Sequence, residues 1–251
     1  MYKYDVVTVV GRFEPCHNMH NYLFIKALEL GKEVIIILGS AMSAPDIDNP
    51  FTPADREQMI RACFDEETNK RLHFFGVRDY PYSLNTWITE VQNVVINFIE
   101  ERVEVPEGHD SLHSQILSKT KICLLGHEKD ETSFYLKLFP QWTFERLPID
   151  NAESKKLNAT NIRNLFFEGD LGEDATWKNL VPKPVFDFLN EFSKTDLYKD
   201  LVNSYEYNVD YKAKSQYVGL PYPPSFMTTD AVVICKGHVL LIKRGGNPGK
   251  G

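Results

Sequence analysis

The chain has 251 residues, 43% hydrophobic and 25% charged, a globular profile that excludes disordered, collagenous and coiled-coil chains. Lys and Arg number 28 against 35 Asp and Glu, and a net charge of −7 argues against general affinity for nucleic acid or an anionic membrane. Any anionic ligand must therefore be gripped by a local site. The longest apolar runs, at residues 34–38 and 231–235, fall far short of the roughly 20 residues that span a bilayer. The first residues enter a β-branched run without a signal-peptide pattern, and Cys16, Cys63, Cys123 and Cys235 are scattered with no CxxC pair. Free thiols and a cytoplasmic setting are expected.

In chain order, strands are expected at residues 5–10, 33–38, 72–77, 121–125 and 143–147, each a short Val/Ile/Leu-rich run between longer helical stretches. Helices are expected at residues 18–30, 53–64 and 85–102. Thr52 caps the second of these, with Pro53 at its first position, and the third carries Trp87, Ile88, Val91, Val94, Val95, Phe98 and Ile99 at helical spacing. Such βα alternation predicts a doubly wound, Rossmann-like sheet of five parallel strands, with ligands at the carboxyl ends of the strands. Residues 103–119, with His109 and His113, read as an exposed insertion. Further helices at 158–167, 182–191 and 195–205 would pack on the sheet. A Tyr- and Pro-rich linker then covers 206–225, and a β-hairpin turns at Lys236-Gly237-His238.

Chemistry concentrates in Gly11-Arg12-Phe13-Glu14-Pro15-Cys16-His17-Asn18-Met19-His20, between the first strand and the first helix. A strand-to-helix turn offers backbone N–H groups and the positive end of a helix to a triphosphate. Gly11 allows close backbone approach, His17 and His20 share one side of the first helical turn, and Arg12 adds a permanent charge. On its own an HxxH pair is a surface accident or part of a metal site. Placed directly after the first strand, the string Gly-x-Phe-x-Pro-x-His-x-x-His resembles the signature of the HxGH nucleotidylyltransferase superfamily, and Gly-Arg-Phe-x-Pro-x-His is closest to its archaeal-type nicotinamide mononucleotide (NMN) adenylyltransferases. Met19 stands at the usual glycine position, and Glu14-Pro15-Cys16 replaces Gln-Pro-Phe.

The resemblance implies roles for further segments. Asn158-Ala159-Thr160-Asn161-Ile162-Arg163 is similar to the family's Ser-x-Thr-x-x-Arg at a helix N-terminus, with Thr160 and Arg163 on the phosphates and Asn158 in place of serine; by itself it is simply a cap. Gly126, followed by His127, would approach the nucleotide ribose. Gly39-Ser40 and the Asn49-Pro50-Phe51-Thr52-Pro53 unit look like the family's loop and capped helix, with Asp48 where relatives place Arg or Lys, and with Arg56 as a ligand or an ion-pair partner. Asp79, Asn85 and Trp87 resemble the segment that receives NMN, the indole stacking on the pyridinium; without the resemblance Trp87 would be a core residue.

The resemblance thus implies ATP held by Gly11, Arg12, His17, His20, Gly126, Asn158, Thr160 and Arg163, and NMN held by Gly39, Ser40, Asp79, Asn85 and Trp87. His17, His20, Arg12 and Arg163 are the catalytic set. NAD and pyrophosphate are the products, Mg²⁺ comes with ATP rather than from a protein-built metal site, and a homo-oligomer is allowed. The hairpin region, Phe226 to Arg244, looks like the opening of a Nudix hydrolase domain, as in chains that fuse the two activities, with ADP-ribose as the plausible second substrate. Its acidic Gx5Ex7REUxEExGU helix does not occur in these residues, so Nudix activity is not expected of the chain as given. The expected division is therefore 1–205 adenylyltransferase, 206–225 linker and 226–251 Nudix fragment. Gly249-Lys250 is not a phosphate loop, since Arg244 stands at its first glycine position and Gly251 where Ser or Thr is required. Competing acceptors are nicotinic acid mononucleotide, FMN, phosphopantetheine or a cytidylyl-transfer substrate. A non-catalytic nucleotide sensor is the alternative of a different class.

Overall fold

The computed structural model describes residues 2–102, 117–127, 135–147, 157–213 and 232–241. Five strands form one parallel sheet: β1 (Tyr4–Gly11), β2 (Gly31–Leu38), β3 (Leu72–Gly76), β4 (Ile122–Gly126) and β5 (Thr143–Arg146), in the order β3-β2-β1-β4-β5. Each expected strand is present to within about two residues at either end. The helices are α1 (Asn18–Leu30), α2 (Pro53–Arg61), α3 (Glu66–Asn69), α4 (Leu84–Glu100), α5 (Ala159–Phe167), α6 (Lys183–Phe192) and α7 (Asp196–Ala213).

The strands are apolar because both faces of the sheet are covered. Side chains alternate across β2, so Ile35 and Ile37 join Val6 and Leu124 in a core with Val91, Val95, Phe98 and Ile99 of α4. Val34, Ile36 and Leu38 are buried on the opposite face, and α1 packs against β1, β2 and β4. The chain runs outward from β1 to β2 and β3, then crosses back to add β4 and β5 on the other side. This reversal opens a crevice at the carboxyl ends of β1 and β4, beside Gly11 and Gly126.

Three boundaries differ from the sequence reading. The helix expected to reach residue 64 stops at Arg61, because Asp65 starts a new turn by accepting a hydrogen bond from the Thr68 N–H at 2.7 Å. Helix α7 continues to Ala213, eight residues into the expected linker, because neither Gly nor Pro occurs between Phe192 and Gly219. The hairpin turns on two residues, Lys236 and Gly237, both at positive φ (48° and 79°), as a two-residue turn matched to strand twist requires. The bulk of the 103–119 insertion, with His109 and His113, and residues 214–225 of the linker lie outside the described residues.

Chain contacts group into two compact units, Met1–Asn190 and Glu191–Gly251. The first holds the sheet and both cavities described below. Among the described residues of the second, the hairpin Ile234–Val239 exposes Val232, Val233, Ile234, Val239, Leu240 and Leu241. No helix among the described residues is long and apolar enough to cross a membrane.

Candidate active site

His17 is the N-cap of α1, and it forms an unusual capping box with His20. The His20 N–H donates to His17 Nδ1 and the His17 N–H donates to His20 Nδ1, both at 3.4 Å. The two rings stack with centroids 3.6 Å apart and planes inclined by 14°. A ring nitrogen that accepts carries no proton, so this cap assigns the proton of each imidazole to Nε2. Phe13, with φ of +57°, turns its ring back beneath this pair, edge-on to His20 at 4.9 Å and to Phe24 at 5.0 Å. Gly11 must be glycine for this ring: a Cβ there would stand 2.7 Å from Phe13 Cζ. Packing, more than approach to a ligand, requires that glycine.

Both histidines line a cavity of about 300 Å³ in the crevice between β1 and β4. Gly11 and Arg12 reach it from the end of β1, Gly126 from the end of β4, and Asn158, Thr160 and Arg163 from the start of α5. All eight residues expected around ATP therefore surround one space, with Met19 at its wall. Each also has a local structural duty. Asn158 Oδ1 accepts the Thr160 N–H at 2.9 Å, so Asn158 serves as the cap of α5. Arg163 is 4% exposed, and its guanidinium donates to the carbonyls of Glu14 (2.6 Å) and Ile47 (3.2 Å) and to Thr160 Oγ1 (3.3 Å). Asp48 Oδ1 lies 3.5 Å from Arg163 Nη2, so this carboxylate offsets the guanidinium. Burial pulls the Arg163 pKa down and Asp48 pulls it back up.

A second cavity, of about 480 Å³, opens on the other side of β1 and is lined by Gly39, Ser40, Asp79 and Trp87, with Leu84 and Tyr135. The Trp87 indole meets Tyr135 and Phe139 edge-on at 5.9 and 6.1 Å, so it is at once a wall of the cavity and part of the core's margin. Asn85 is not there. It lines a separate groove with Tyr80, Thr86 and Glu90, because residues two apart on a helix point about 200° apart. The two cavities share Val10, Gly11, Arg12 and Tyr135, so they meet across the end of β1. Arg12 stands exposed at that junction, one guanidinium nitrogen donating to Asn49 Oδ1 at 3.2 Å.

Beneath the junction lies a buried charge pair. Glu14 Oε1 sits 3.1 Å from Arg56 Nη1, both side chains being 1% exposed, while Glu14 Oε2 accepts the Phe51 N–H at 3.4 Å. Burial pushes the Glu14 carboxyl up to about 7, against the pull of Arg56 and Arg163.

The chain is similar to a nicotinamide/nicotinic acid mononucleotide adenylyltransferase of Acinetobacter baylyi, with 35% identity over 82% of this chain and 95% of that protein. It belongs to the nicotinamide-nucleotide adenylyltransferase family. A nicotinamide-nucleotide adenylyltransferase of Thermococcus onnurineus is 30% identical over 78% of this chain and 88% of its own length. The cytidylyltransferase-like family model matches residues 8–98 of this adenylyltransferase-family chain, from within β1 to near the end of α4. A crystal structure of a bifunctional NMN adenylyltransferase/ADP ribose pyrophosphatase from Francisella tularensis, complexed with AMP and a manganese ion, superposes with a TM-score of 0.77 at 29% identity. The alignment covers 98% of this chain and 65% of that one.

Two residues in and beside this family member's site escaped the sequence reading. Tyr135, which lines both cavities and whose hydroxyl donates to the Val10 carbonyl at 3.4 Å, carries no motif. Leu136 explains Gly126, since a Cβ on that glycine would lie 2.4 Å from Leu136 Cδ2. Gly126→Ala is therefore expected to cost about 1–3 kcal/mol through overpacking, read as a lower midpoint of chemical denaturation. An unchanged midpoint would show that the space is open and that the glycine serves a ligand instead.

Proposed function

We propose that this chain transfers the adenylyl group of ATP to NMN, forming NAD and releasing pyrophosphate. The observation that carries this reading is the meeting of two cavities at Gly11 and Arg12, one lined by histidines and a helix start, the other by an indole and Asp79. ATP occupies the first with its triphosphate along α1 and α5, and NMN occupies the second with its ring against Trp87. An NMN phosphate oxygen attacks the α-phosphorus. The new P–O bond forms as the bond to the departing pyrophosphate breaks in line behind it.

The attacking phosphate is already ionised at neutral pH, so no general base and no enzyme-bound intermediate are required. The Nε2–H groups of His17 and His20 act as the catalytic donors, meeting charge that builds on the leaving pyrophosphate. Arg12 holds the phosphates of both substrates at the junction, and Arg163 acts from within the wall by fixing the Glu14 carbonyl and Thr160. Mg²⁺ is taken to enter with ATP, held by the oxygens of its phosphates. Four unpaired cysteines suit a cytoplasmic setting.

The test is NAD formation from NMN and ATP, with nicotinic acid mononucleotide, FMN and phosphopantetheine as rival acceptors. NMN should lead over the acid form, because Asp79 repels a second carboxylate on the ring. Trp87→Ala should raise KM for NMN about tenfold or more and leave KM for ATP nearly unchanged, given about 1–3 kcal/mol for ring stacking. Binding of ATP without turnover of any acceptor would replace the enzyme reading by that of a nucleotide sensor.

The division 1–205, 206–225 and 226–251 belongs to the same proposal, with its first boundary moved from 205 to the end of α7 at Ala213. The hairpin at Ile234–Val239 is taken as the first of a Nudix domain, by analogy with the bifunctional neighbour, of which this chain spans 65%. A domain of that kind would add ADP-ribose hydrolysis to the adenylyl transfer.

A further inference from the structure

Arg56 lines neither cavity, yet it is 1% exposed and touches the backbone of both. Its Nη1 donates to the Gly39 carbonyl at 2.7 Å and to the Arg12 carbonyl at 3.1 Å. Arg12 follows β1 and belongs to both cavities, whereas Gly39 follows β2 and lines only the second. One rigid, planar guanidinium therefore spans two strand ends, which the Gly39 N–H also joins by donating to the Gly11 carbonyl at 3.0 Å. The Arg56 Nε contacts the Thr52 carbonyl at 3.4 Å, which ties the clamp to the capped start of α2. Both Nη1 hydrogens are spent on carbonyls, so Glu14 contributes charge at 3.1 Å rather than a hydrogen bond.

We infer that Arg56 is a positioning residue that sets the offset between the nucleotide cavity and the acceptor cavity without touching either substrate. The inference rests on the adenylyl-transfer reading. In-line displacement needs the attacking oxygen about 3–3.5 Å from phosphorus and aligned with the leaving group, so a small slip of one cavity against the other stops reaction while leaving each cavity intact.

NAD separates this role from a merely structural one, because it fills both cavities at once, whereas ATP and NMN each probe one. Arg56→Lys keeps the charge but shortens the side chain and loses the planar fork. It should lower kcat about 100-fold. It should also weaken NAD binding by more than about tenfold, with ATP and NMN dissociation constants within about threefold of wild type, since only a ligand joining two sites depends on their spacing. Arg61→Lys is the control: Arg61 lies on the same helix and clamps the carbonyls of Asn69 and Leu72, away from the cavities. It should lower Tm and leave NAD binding alone.

Should Arg56→Lys fail to fold, Arg56→Gln carries the same expectations near pH 7, where Glu14, with its carboxyl raised to about 7, can take up a proton in place of its lost partner. Wild-type NAD affinity in a folded Arg56 variant overturns the inference. So does an equal loss for ATP, NMN and NAD, or the same NAD defect in Arg61→Lys. If the wild-type chain neither makes nor binds NAD, the adenylyl-transfer reading fails, and this inference falls with it.

Discussion

His20→Ala should lower kcat about 10²- to 10³-fold, the loss measured when one preorganised donor to a developing oxyanion is removed. The ring does three things at once. It stacks on His17 at 3.6 Å, its Nδ1 accepts the His17 N–H, and that bond leaves the proton on Nε2, the atom proposed to donate to the leaving pyrophosphate. Loss of half the capping box should cost about 1 kcal/mol, too little to unfold a domain of ordinary stability. The measurement is steady-state NAD formation beside a thermal melt. A folded His20→Ala with near-normal kcat would remove His20 from the chemistry and leave it a helix cap only. His20→Asn is informative as a partner variant, since it can still accept the His17 N–H and so tests the cap separately from the donor.

Arg12→Ala should lower kcat/KM about 10³-fold, the low end of what a transition-state arginine contributes in phosphoryl transfer. Arg12 lines both cavities, so KM should rise for ATP and for NMN together, a pattern that a residue confined to one cavity cannot produce. The side chain is exposed and donates a hydrogen bond to the Asn49 side chain, so Tm should stay within about 2 °C of wild type. Arg12→Lys should recover only part of the loss, because an ammonium cannot hold two phosphate oxygens through one fork. A rise in KM for one substrate alone would place Arg12 in a single cavity and break the proposed junction.

The doubly wound sheet was legible because its signals are local. Thr52 before Pro53 announces α2, β-branched runs announce strands, and the string from Gly11 to His20 falls between the first strand and the first helix. The eight residues expected around ATP do surround one cavity, since the topology delivers β1, β4 and α5 to the same edge. Spacing accounts for one difference: Asn85 and Trp87 are two apart on a helix and point about 200° apart, and Asn85 lines a different groove.

The rest depends on which side chains and carbonyls the fold packs against each residue. Gly11 and Gly126 read as places for a ligand, but the rings and branches that forbid a Cβ there are those of Phe13 and Leu136, the second beyond the end of its strand. Arg163 reads as a charge for phosphate and Arg56 as a ligand or an ion-pair partner; both are buried and donate to backbone carbonyls, Arg163 to Glu14 across 149 positions, and Arg56 also faces Glu14. A guanidinium's valence toward phosphate or carbonyl is the same in any sequence; only burial and the carbonyls brought near it decide which it serves.

The sequence by itself determined the βα alternation, the helix caps and the chemical types available at the sheet's carboxyl edge, because propensity, capping and periodicity act over a few residues. Tertiary structure alone decided that there are two cavities meeting at Arg12, which arginine faces solvent, and which glycines answer to packing. Those outcomes follow from close packing and desolvation, for the glycines against Phe13 and Leu136 and for the arginines against carbonyls as far as 149 positions away.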